Sequence, residues 1–337
     1  MKMIIPMAGK GTRLRPHTHT TPKPLMMVGG KIMLEEILDT LTSTLEGNID
    51  EISFILGDLD KDVQTSLDNL LKKYKVKTSY FVQDPPLGTG HAIYMAKEKL
   101  EGEVLVAYAD TIFDADLSGL STLNGDGVIW VKEVENPKAY GVVVEKDGFI
   151  NQFVEKPQTP VSNKAIIGVY YFKHAEKLRN HLQHLIDSNK TVKGEYQLTD
   201  SLESLVADKY RFVSRSVNYW LDCGNMQSLL DTNSFLLNLK KDKLKVQQFE
   251  NSVIIPPVFI GENVEIRNSV VGPNVSVASN VKIDKCIVEN SIINDNSNIK
   301  MMMVKDSIVG RFTTVKGKFK KLNLGDHTEL SDLGEVN

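Results

Sequence analysis

Cysteine is scarce: Cys223 and Cys286 are the only two in 337 residues. Two thiols cannot build the disulfide framework of a small secreted domain, so a reducing compartment such as the cytoplasm is expected. Long apolar runs are missing too. No stretch reaches the ~18 residues that a membrane-spanning helix needs. Met1-Lys2-Met3-Ile4 leads into an apolar strand without the h-region and cleavage site of a secretory leader. Positive charge is not in excess: 40 Lys and Arg against 43 Asp and Glu give a net charge of −3. No basic field for nucleic acid exists, so neither nucleic acid nor membrane is an expected partner.

What the chain does have is apolar content of 41% and a length sufficient for two domains and a large core. Its most informative stretch is Ile4-Ile5-Pro6-Met7-Ala8-Gly9-Lys10-Gly11-Thr12-Arg13-Leu14-Arg15-Pro16, followed by Thr21-Pro22-Lys23-Pro24. An apolar strand runs into a cation-rich glycine turn. Gly9 and Gly11 are expected to adopt backbone angles that a Cβ forbids and to let the main chain approach a ligand. Successive N–H groups in such a turn form a concavity for anions, phosphate above all. Arg13 is suited to fork onto phosphate oxygens, and Lys23 adds a point charge on a path stiffened by two prolines. The competing account is an ordinary β-to-loop turn with solvated cations. The dinucleotide fingerprint fails because Leu14 stands where a third glycine is needed. That argues against a nicotinamide oxidoreductase. The P-loop form fails because no Gly-Lys-Ser/Thr follows.

Ala-Gly-x-Gly-Thr-Arg-Leu-x-Pro with a downstream Pro-Lys-Pro resembles the signature of the sugar-phosphate nucleotidylyltransferases. Those enzymes join a nucleoside triphosphate to a sugar 1-phosphate. The resemblance implies an enzyme of that type, and the rest of the chain bears on it.

Strand and helix patterns alternate. Helical spacing of apolar residues covers 31–44 through Met33, Leu34, Ile37, Leu38 and Leu41, then 60–73 and 91–100. Short apolar runs at 52–57, 76–82 and 104–108 read as strands, the last typical of the centre of a parallel sheet. This order implies βαβ units and a doubly wound, mixed α/β sheet, with ligands beyond the carboxyl ends of the strands. From Gly127 the strands shorten (141–144, 150–154, 168–172) and read as a sugar-binding lobe set into the same domain. Helices are expected at 174–188, 198–208 and 226–243, with a strand at 211–217.

Beyond Phe249 the pattern changes. Val258, Val264 and Val270 recur every six residues, and after a one-residue slip Val275, Val281, Ile287, Ile293 and Ile299 do the same. One aliphatic per six residues is the mark of a parallel β-helix with triangular coils. It resembles the left-handed hexapeptide-repeat domain. The expected division is a nucleotidyltransferase domain at 1–245 and a short left-handed β-helix at 246–337. So short a repeat needs neighbours to cover its ends, which points to a homo-oligomer. Acyltransferases built on such repeats resemble one another in using a histidine base. No histidine occurs here before His327, so acetyl transfer is not expected.

Asp110, at the end of the strand Val104-Leu105-Val106-Ala107-Tyr108, is placed to face a cleft. Trp220-Leu221-Asp222-Cys223-Gly224 supplies a second carboxylate. Mg²⁺ takes one or two carboxylates plus phosphate oxygens, so Asp110 and Asp222 suffice. The resemblance implies that metal role for both. Ala109 stands where the family often has Gly. In Gln83-Asp84-Pro85-Pro86-Leu87-Gly88-Thr89-Gly90, a side-chain amide can pair with a base edge that offers both a donor and an acceptor. In this family the same spacing resembles the uracil or thymine reader, while guanine-using relatives tend to carry Glu. Gln83 therefore points to UTP or dTTP. The nucleotide set is Ala8, Gly9, Gly11, Thr12, Gln83, Pro86, Gly88 and Thr89.

Gly141, Glu155, Lys156 and Glu195 resemble the family's sugar-phosphate contacts. Glu155 would accept from sugar hydroxyls, and Lys156 would hold the acceptor phosphate. A salt-bridged hairpin competes at Glu155-Lys156, and a capping box at Thr199 to Glu203 competes near Glu195. Relatives acting on N-acetylglucosamine 1-phosphate carry Asn where this chain has Ile166. Relatives acting on glucose 1-phosphate have a small residue there. Asp222 in place of Asn leans toward the thymidylyltransferase-like branch, and glucose 1-phosphate is the favoured sugar. Arg13, Lys23 and Lys156 are the expected catalytic cations. The alternative is a catalytically inactive subunit that binds a sugar nucleotide and regulates.

Overall fold

The structure, a computed structural model, describes residues 1–45, 49–57, 61–244 and 247–318. The chain divides into two compact units, Met1–Lys240 and a second beginning at Lys241. The boundary expected at 245/246 falls on residues outside the described set, as do Asp60 and His327.

The first unit opens with β1 (Lys2–Pro6), crosses the cation-rich loop and makes a small hairpin of β2 (Met27–Val28) and β3 (Lys31–Ile32). It continues through α1 (Met33–Ser43), β4 (Glu51–Leu56), α2 (Lys61–Leu71), β5 (Lys77–Val82), α3 (Thr89–Met95) and β6 (Val104–Ala107). The hairpin takes Lys31 and Ile32, so the first helix begins later than its apolar spacing suggested. Its predicted face is buried as expected. The helix expected at 91–100 instead starts at Thr89 and stops at Met95, and Lys97–Lys99 form a separate 3₁₀ turn.

The chain then supplies β7 (Thr111–Phe113), β8 (Gly127–Glu133), β9 (Gly141–Lys146), β10 (Phe149–Glu155), β11 (Lys164–Phe172), α4 (Ala175–Asp187), α5 (Leu198–Ala207), β12 (Phe212–Ser216), β13 (Trp220–Asp222) and α6 (Met226–Leu239). Asn225 and Ser228 form a reciprocal capping box that starts α6.

Nine strands form one mixed sheet whose path is β10-β9-β11-β6-β1-β4-β5, with β8 joining β11 to β12. β1 lies parallel between β4 and β6, and β4 lies parallel to β5. β11 runs antiparallel to β6, β8 and β9. The strands expected as an inserted sugar-binding lobe are thus continuous with the main sheet. The long β11 makes this possible. Val169–Phe172 pair with β6, and Ala165 pairs with both β8 and β9. The register shifts between Ile166 and Tyr170, around Gly168 at φ +88°. The core below the sheet joins Ile4, Val104, Val106, Ile129 and Tyr170 to Leu178 and Leu182 of α4 and Leu198, Leu202 and Leu205 of α5.

The chain leaves β1 toward β4 on one side and returns to β6 on the other. That reversal is a topological switch point, and its crevice lies past the carboxyl ends of β1 and β6.

The second unit is the expected β-helix, a set of three parallel four-stranded sheets as in a left-handed hexapeptide-repeat domain. Its interior rows are Ile266-Ile283-Ile299 and Val271-Val288-Val304, with Val275, Val277 and Ile293 on the third side. Val270 and Ile287, two of the aliphatics in the six-residue count, point outward, and Ile287 is 45% exposed. Turn side chains stack at separations of 17 and 16 residues, so a coil falls short of three full hexapeptides and the inward position slides. The corners are left-handed, and Asn holds many of them, including Asn263, Asn268, Asn274, Asn280, Asn290 and Asn296. Asn tolerates that conformation better than other side chains do.

Gly168 is a point where the sheet demands glycine. A Cβ there would meet Tyr108 Cδ2 at 2.6 Å, on top of the positive φ. Gly168→Ala should destabilise the first unit by about 2 kcal/mol, within the range for strained backbone. Chemical denaturation followed by circular dichroism checks this as a lowered midpoint with an unchanged slope.

Candidate active site

The crevice at the switch point is a cavity of about 450 Å³. β1 feeds one wall with Met7, Ala8, Gly9, Gly11, Thr12 and Arg13, and the same loop carries Lys23 into it. Three 3₁₀ turns shape that loop: Thr12–Leu14, His17–His19 and Lys23–Leu25. Leu14 is buried and anchors it, and Thr18 Oγ1 donates to the Gly11 carbonyl at 2.8 Å. Of the two glycines expected to need a special backbone, only Gly11 does, at φ +55°. Gly9 has no positive φ, and a Cβ there would meet nothing within 4 Å. Its smallness keeps space open for a ligand. Burial lowers the pKa of His17, which disfavours its cationic form and a role as a phosphate clamp.

β6 feeds the opposite wall with Tyr108, Ala109 and Asp110. Lys23 Nζ lies 4.0 Å from Asp110 Oδ2; the lysine side chain is 11% exposed and the carboxylate 61%. A desolvated ammonium thus sits behind an open carboxylate. β7 follows Asp110 at once and pairs with β13, setting Thr111 opposite Asp222. Asp222 therefore lies beside Asp110 across a two-stranded ribbon, 112 residues on in sequence by the difference of their numbers. Asp222 Oδ1 accepts from the Gly224 N–H at 2.8 Å. Gly224 lines the cavity, and a Cβ on it would fall 2.8 Å from both Arg13 Nη2 and Asp222 Oδ1. Arg13 and Asp222 are thus brought together over one glycine. Burial pushes Cys223 up to about 12, so it is no nucleophile.

Gln83, at the carboxyl end of β5, lines the cavity with Pro86, Gly88 and Thr89. Gly88 has φ +104°, and its added Cβ would strike the Tyr196 backbone at 2.6 Å. The loop 195–197 is tied to it: Tyr196 N donates to Leu87 O at 2.8 Å, and Gly90 N to Tyr196 O at 2.9 Å. This brings Glu195 to the cavity, where Gln197 Nε2 donates to its Oε2 at 2.8 Å.

Gly141, Glu155 and Lys156 do not line this cavity, nor does Asp222. The first three form an adjoining cluster. Glu155 Oε2 accepts from Thr199 Oγ1 at 2.7 Å, Lys156 Nζ lies 3.6 Å from Glu155 Oε1, and Gly141 faces Glu155 and Ile166. Lys156 holds φ +44°, a conformation that costs a non-glycine residue roughly 1 kcal/mol and so argues for a constrained position. Tyr108 stands between the two clusters. Desolvation raises its hydroxyl pKa, and the charges of Asp110 and Glu155 add to the shift. Trp220 packs edge-on against Tyr140 at 5.0 Å, joining β13 to the strand that begins at Gly141.

The capping box considered for Thr199 and Glu203 does not form. Gln197 is the N-cap residue, Thr199 bonds Glu155, and Glu203 accepts from Phe153 N. Both side chains brace β10. Sequence reasoning also missed Tyr108 and Gly224 as wall residues, although both lay inside motifs it had singled out. His91, in the expected 91–100 helix, also places its Nδ1 3.2 Å from Gln83 Nε2. Among the described residues, no group of three or more His, Cys, Asp or Glu could hold a metal ion, and no helix is long and apolar enough to cross a membrane.

This geometry is that of a nucleotidyltransferase, and a family model described as nucleotidyl transferase matches residues 2–238. The chain belongs to that family. It is 34% identical over 269 residues to the bifunctional protein GlmU of Methanococcus aeolicus, covering 79% of this chain and 62% of that protein. It thus spans less than two thirds of that relative's length. It is 36% identical to Agl11 of Haloferax volcanii, a low-salt glycan biosynthesis nucleotidyltransferase (72% of this chain, 68% of that one). It is 28% identical to a glucose-1-phosphate thymidylyltransferase of Streptomyces antibioticus (79% and 74%). A crystal structure from Bacillus anthracis described as a glucose-1-phosphate thymidylyltransferase shares the fold. Its TM-score is 0.60 at 22% identity, covering 74% of this chain and 98% of that one.

Gly224→Ala should push Arg13 and Asp222 apart without touching the core. Nucleoside triphosphate affinity, measured by calorimetry, should fall about tenfold, equivalent to about 1.4 kcal/mol.

Proposed function

We propose that this protein is a nucleotidylyltransferase that joins UTP or dTTP to a sugar 1-phosphate, glucose 1-phosphate by preference, releasing pyrophosphate. The observation that carries the reading is the convergence of Arg13, Lys23, Gln83, Gly88 and Asp110 on one cavity, with Asp222 at its edge. Gly141, Glu155 and Lys156 adjoin it and serve as the sugar-phosphate side. The Streptomyces antibioticus relative, a glucose-1-phosphate thymidylyltransferase by name, supports glucose 1-phosphate and dTTP as the pair to test first.

In the proposed reaction a phosphate oxygen of the sugar 1-phosphate attacks the α-phosphorus in line, and the bond to pyrophosphate breaks. No covalent intermediate is required, because positioning and charge neutralisation supply most of the rate in phosphoryl-type transfers. Backbone N–H groups of the 9–13 loop hold the triphosphate. Arg13 neutralises charge that develops on pyrophosphate. Lys23 and Lys156 draw two mutually repelling anions together.

The family implies Mg²⁺. The donor set fits it: Asp110, open to the cavity, and Asp222, paired across the β7–β13 ribbon with the residue that follows Asp110, are hard oxygen ligands that leave positions for phosphate oxygens. Asp110 and Asp222 would hold the ion, which when bound would offset phosphate charge.

We further propose that the repeat domain joins copies of the chain. Val253, Val270, Ile287 and Met303 stand in register along the outer face of one sheet. The first is 57% exposed, the third 45% and the last 71%. A continuous apolar row of this kind favours burial against a like surface. The free, buried cysteines support a cytoplasmic setting.

A matrix of triphosphates against sugar 1-phosphates, read by pyrophosphate release, tests the activity. Turnover is expected with UTP or dTTP and glucose 1-phosphate. Tight binding of a sugar nucleotide with no turnover of any pair would favour the regulatory alternative. Asp110→Asn should lower kcat on the order of 100-fold, as loss of one electrostatic stabiliser does; near-normal release would reject its role. Ile287→Glu should convert an oligomer into monomers in sedimentation velocity, and an unchanged species would remove the apolar row from the interface.

A further inference from the structure

Gln83 is 5% exposed, and its amide is held at one end only. Nε2 donates to the Gly88 carbonyl at 2.9 Å and lies 3.2 Å from His91 Nδ1. A carbonyl oxygen only accepts, so the nitrogen of the amide must face Gly88, which settles the amide's orientation. His91 Nδ1 then faces a donor and must offer its lone pair. The neutral ring does this only with its proton on Nε2. Burial lowers the pKa of His91, which favours that neutral form. The ring is seated by its place in the first turns of α3 and by Tyr196, whose centroid is 6.3 Å away.

With both amide hydrogens spent, Gln83 Oε1 is the end left to the cavity, and it has no hydrogen-bond partner among the described residues. We propose that His91 is a specificity-determining positioning residue: with the Gly88 carbonyl, its Nδ1 locks the Gln83 amide so that only an acceptor faces the base. Uracil and thymine present N3–H at that edge and satisfy it. Cytosine presents an unprotonated N3, which sets two lone pairs against each other. A freely flipping amide would pair with either base. The lock therefore turns an indifferent side chain into one that selects pyrimidines by the protonation of N3. The inference rests on the proposed role of Gln83 as base reader.

The test reads the ratio of kcat/KM for UTP over CTP, and for dTTP over dCTP, in the full chain. Gln83→Leu should collapse this ratio; if it does not, the base-reader reading fails. His91→Phe keeps a ring and removes the acceptor, and should narrow the ratio about tenfold, acting on KM rather than kcat. His91→Asn restores an acceptor near the Nδ1 position and should recover most of the ratio. A collapsed ratio in Gln83→Leu with an unchanged one in folded His91→Phe would overturn the lock alone. So would equal losses in the Phe and Asn variants. In the unmutated protein, nitrogen-15 NMR of the histidine rings should show His91 protonated at Nε2 and bare at Nδ1. A proton on Nδ1 would overturn the inference whether or not the variants fold.

Discussion

The parallel pairing of β1 with β4 on one side and β6 on the other is the constraint on which this molecule turns. Because the chain departs to one side and returns to the other, the loops after β1 and β6 diverge. The crevice between them cannot be filled by a crossing connection. Residues 3–5 and 104–107 are buried strand segments that hold those two loop origins rigidly. Most of the charge in the cavity hangs from them: the Arg13–Lys23 loop on one and Asp110 on the other, with Glu195 added from the segment clasped to Gly88 and Gly90.

Around that crevice the fold solves an electrostatic problem with fixed parts. Lys23 is nearly buried, and its nearest carboxylate is at the outer limit of an ion pair, so the cation is not spent on Asp110. Arg13 and Asp222 meet over a residue with no side chain. Glycines at 11, 88 and 224 each serve differently: a left-handed turn, a close approach to the 195–197 segment, and room for two opposite charges. Lys156 carries backbone strain at the end of β10, braced from behind by Thr199 and Glu203 of α5.

The β-helix shows how a correct period can give a wrong register. Counting six residues per repeat found the architecture and most interior positions, including Val275, Val281, Ile293 and Ile299. Val270 and Ile287 fit the same count yet face outward, because an aliphatic side chain reads the same whether it faces the core or solvent. Only the strand pairing, one coil against the next, shows that Val271 and Val288 are the inward neighbours.

The sequence alone determined the alternation of strand and helix, the anion-binding glycine turn, the repeat and the family resemblance. Each of these is local: periodicity and turn chemistry are written within a dozen residues of one another. What it left undecided is long-range. That β8 to β11 extend the main sheet rather than form a lobe depends on which edge β11 reaches. That Asp222 stands beside Asp110 depends on the β7–β13 ribbon, and that Glu195 reaches the cavity depends on Tyr196 clasping Gly88 and Gly90. His91 looked like an ordinary helix residue because its significance is a single contact with Gln83. Such contacts arise only when packing closes the chain on itself, since no periodic signal records which two distant side chains the core will force to share a hydrogen bond.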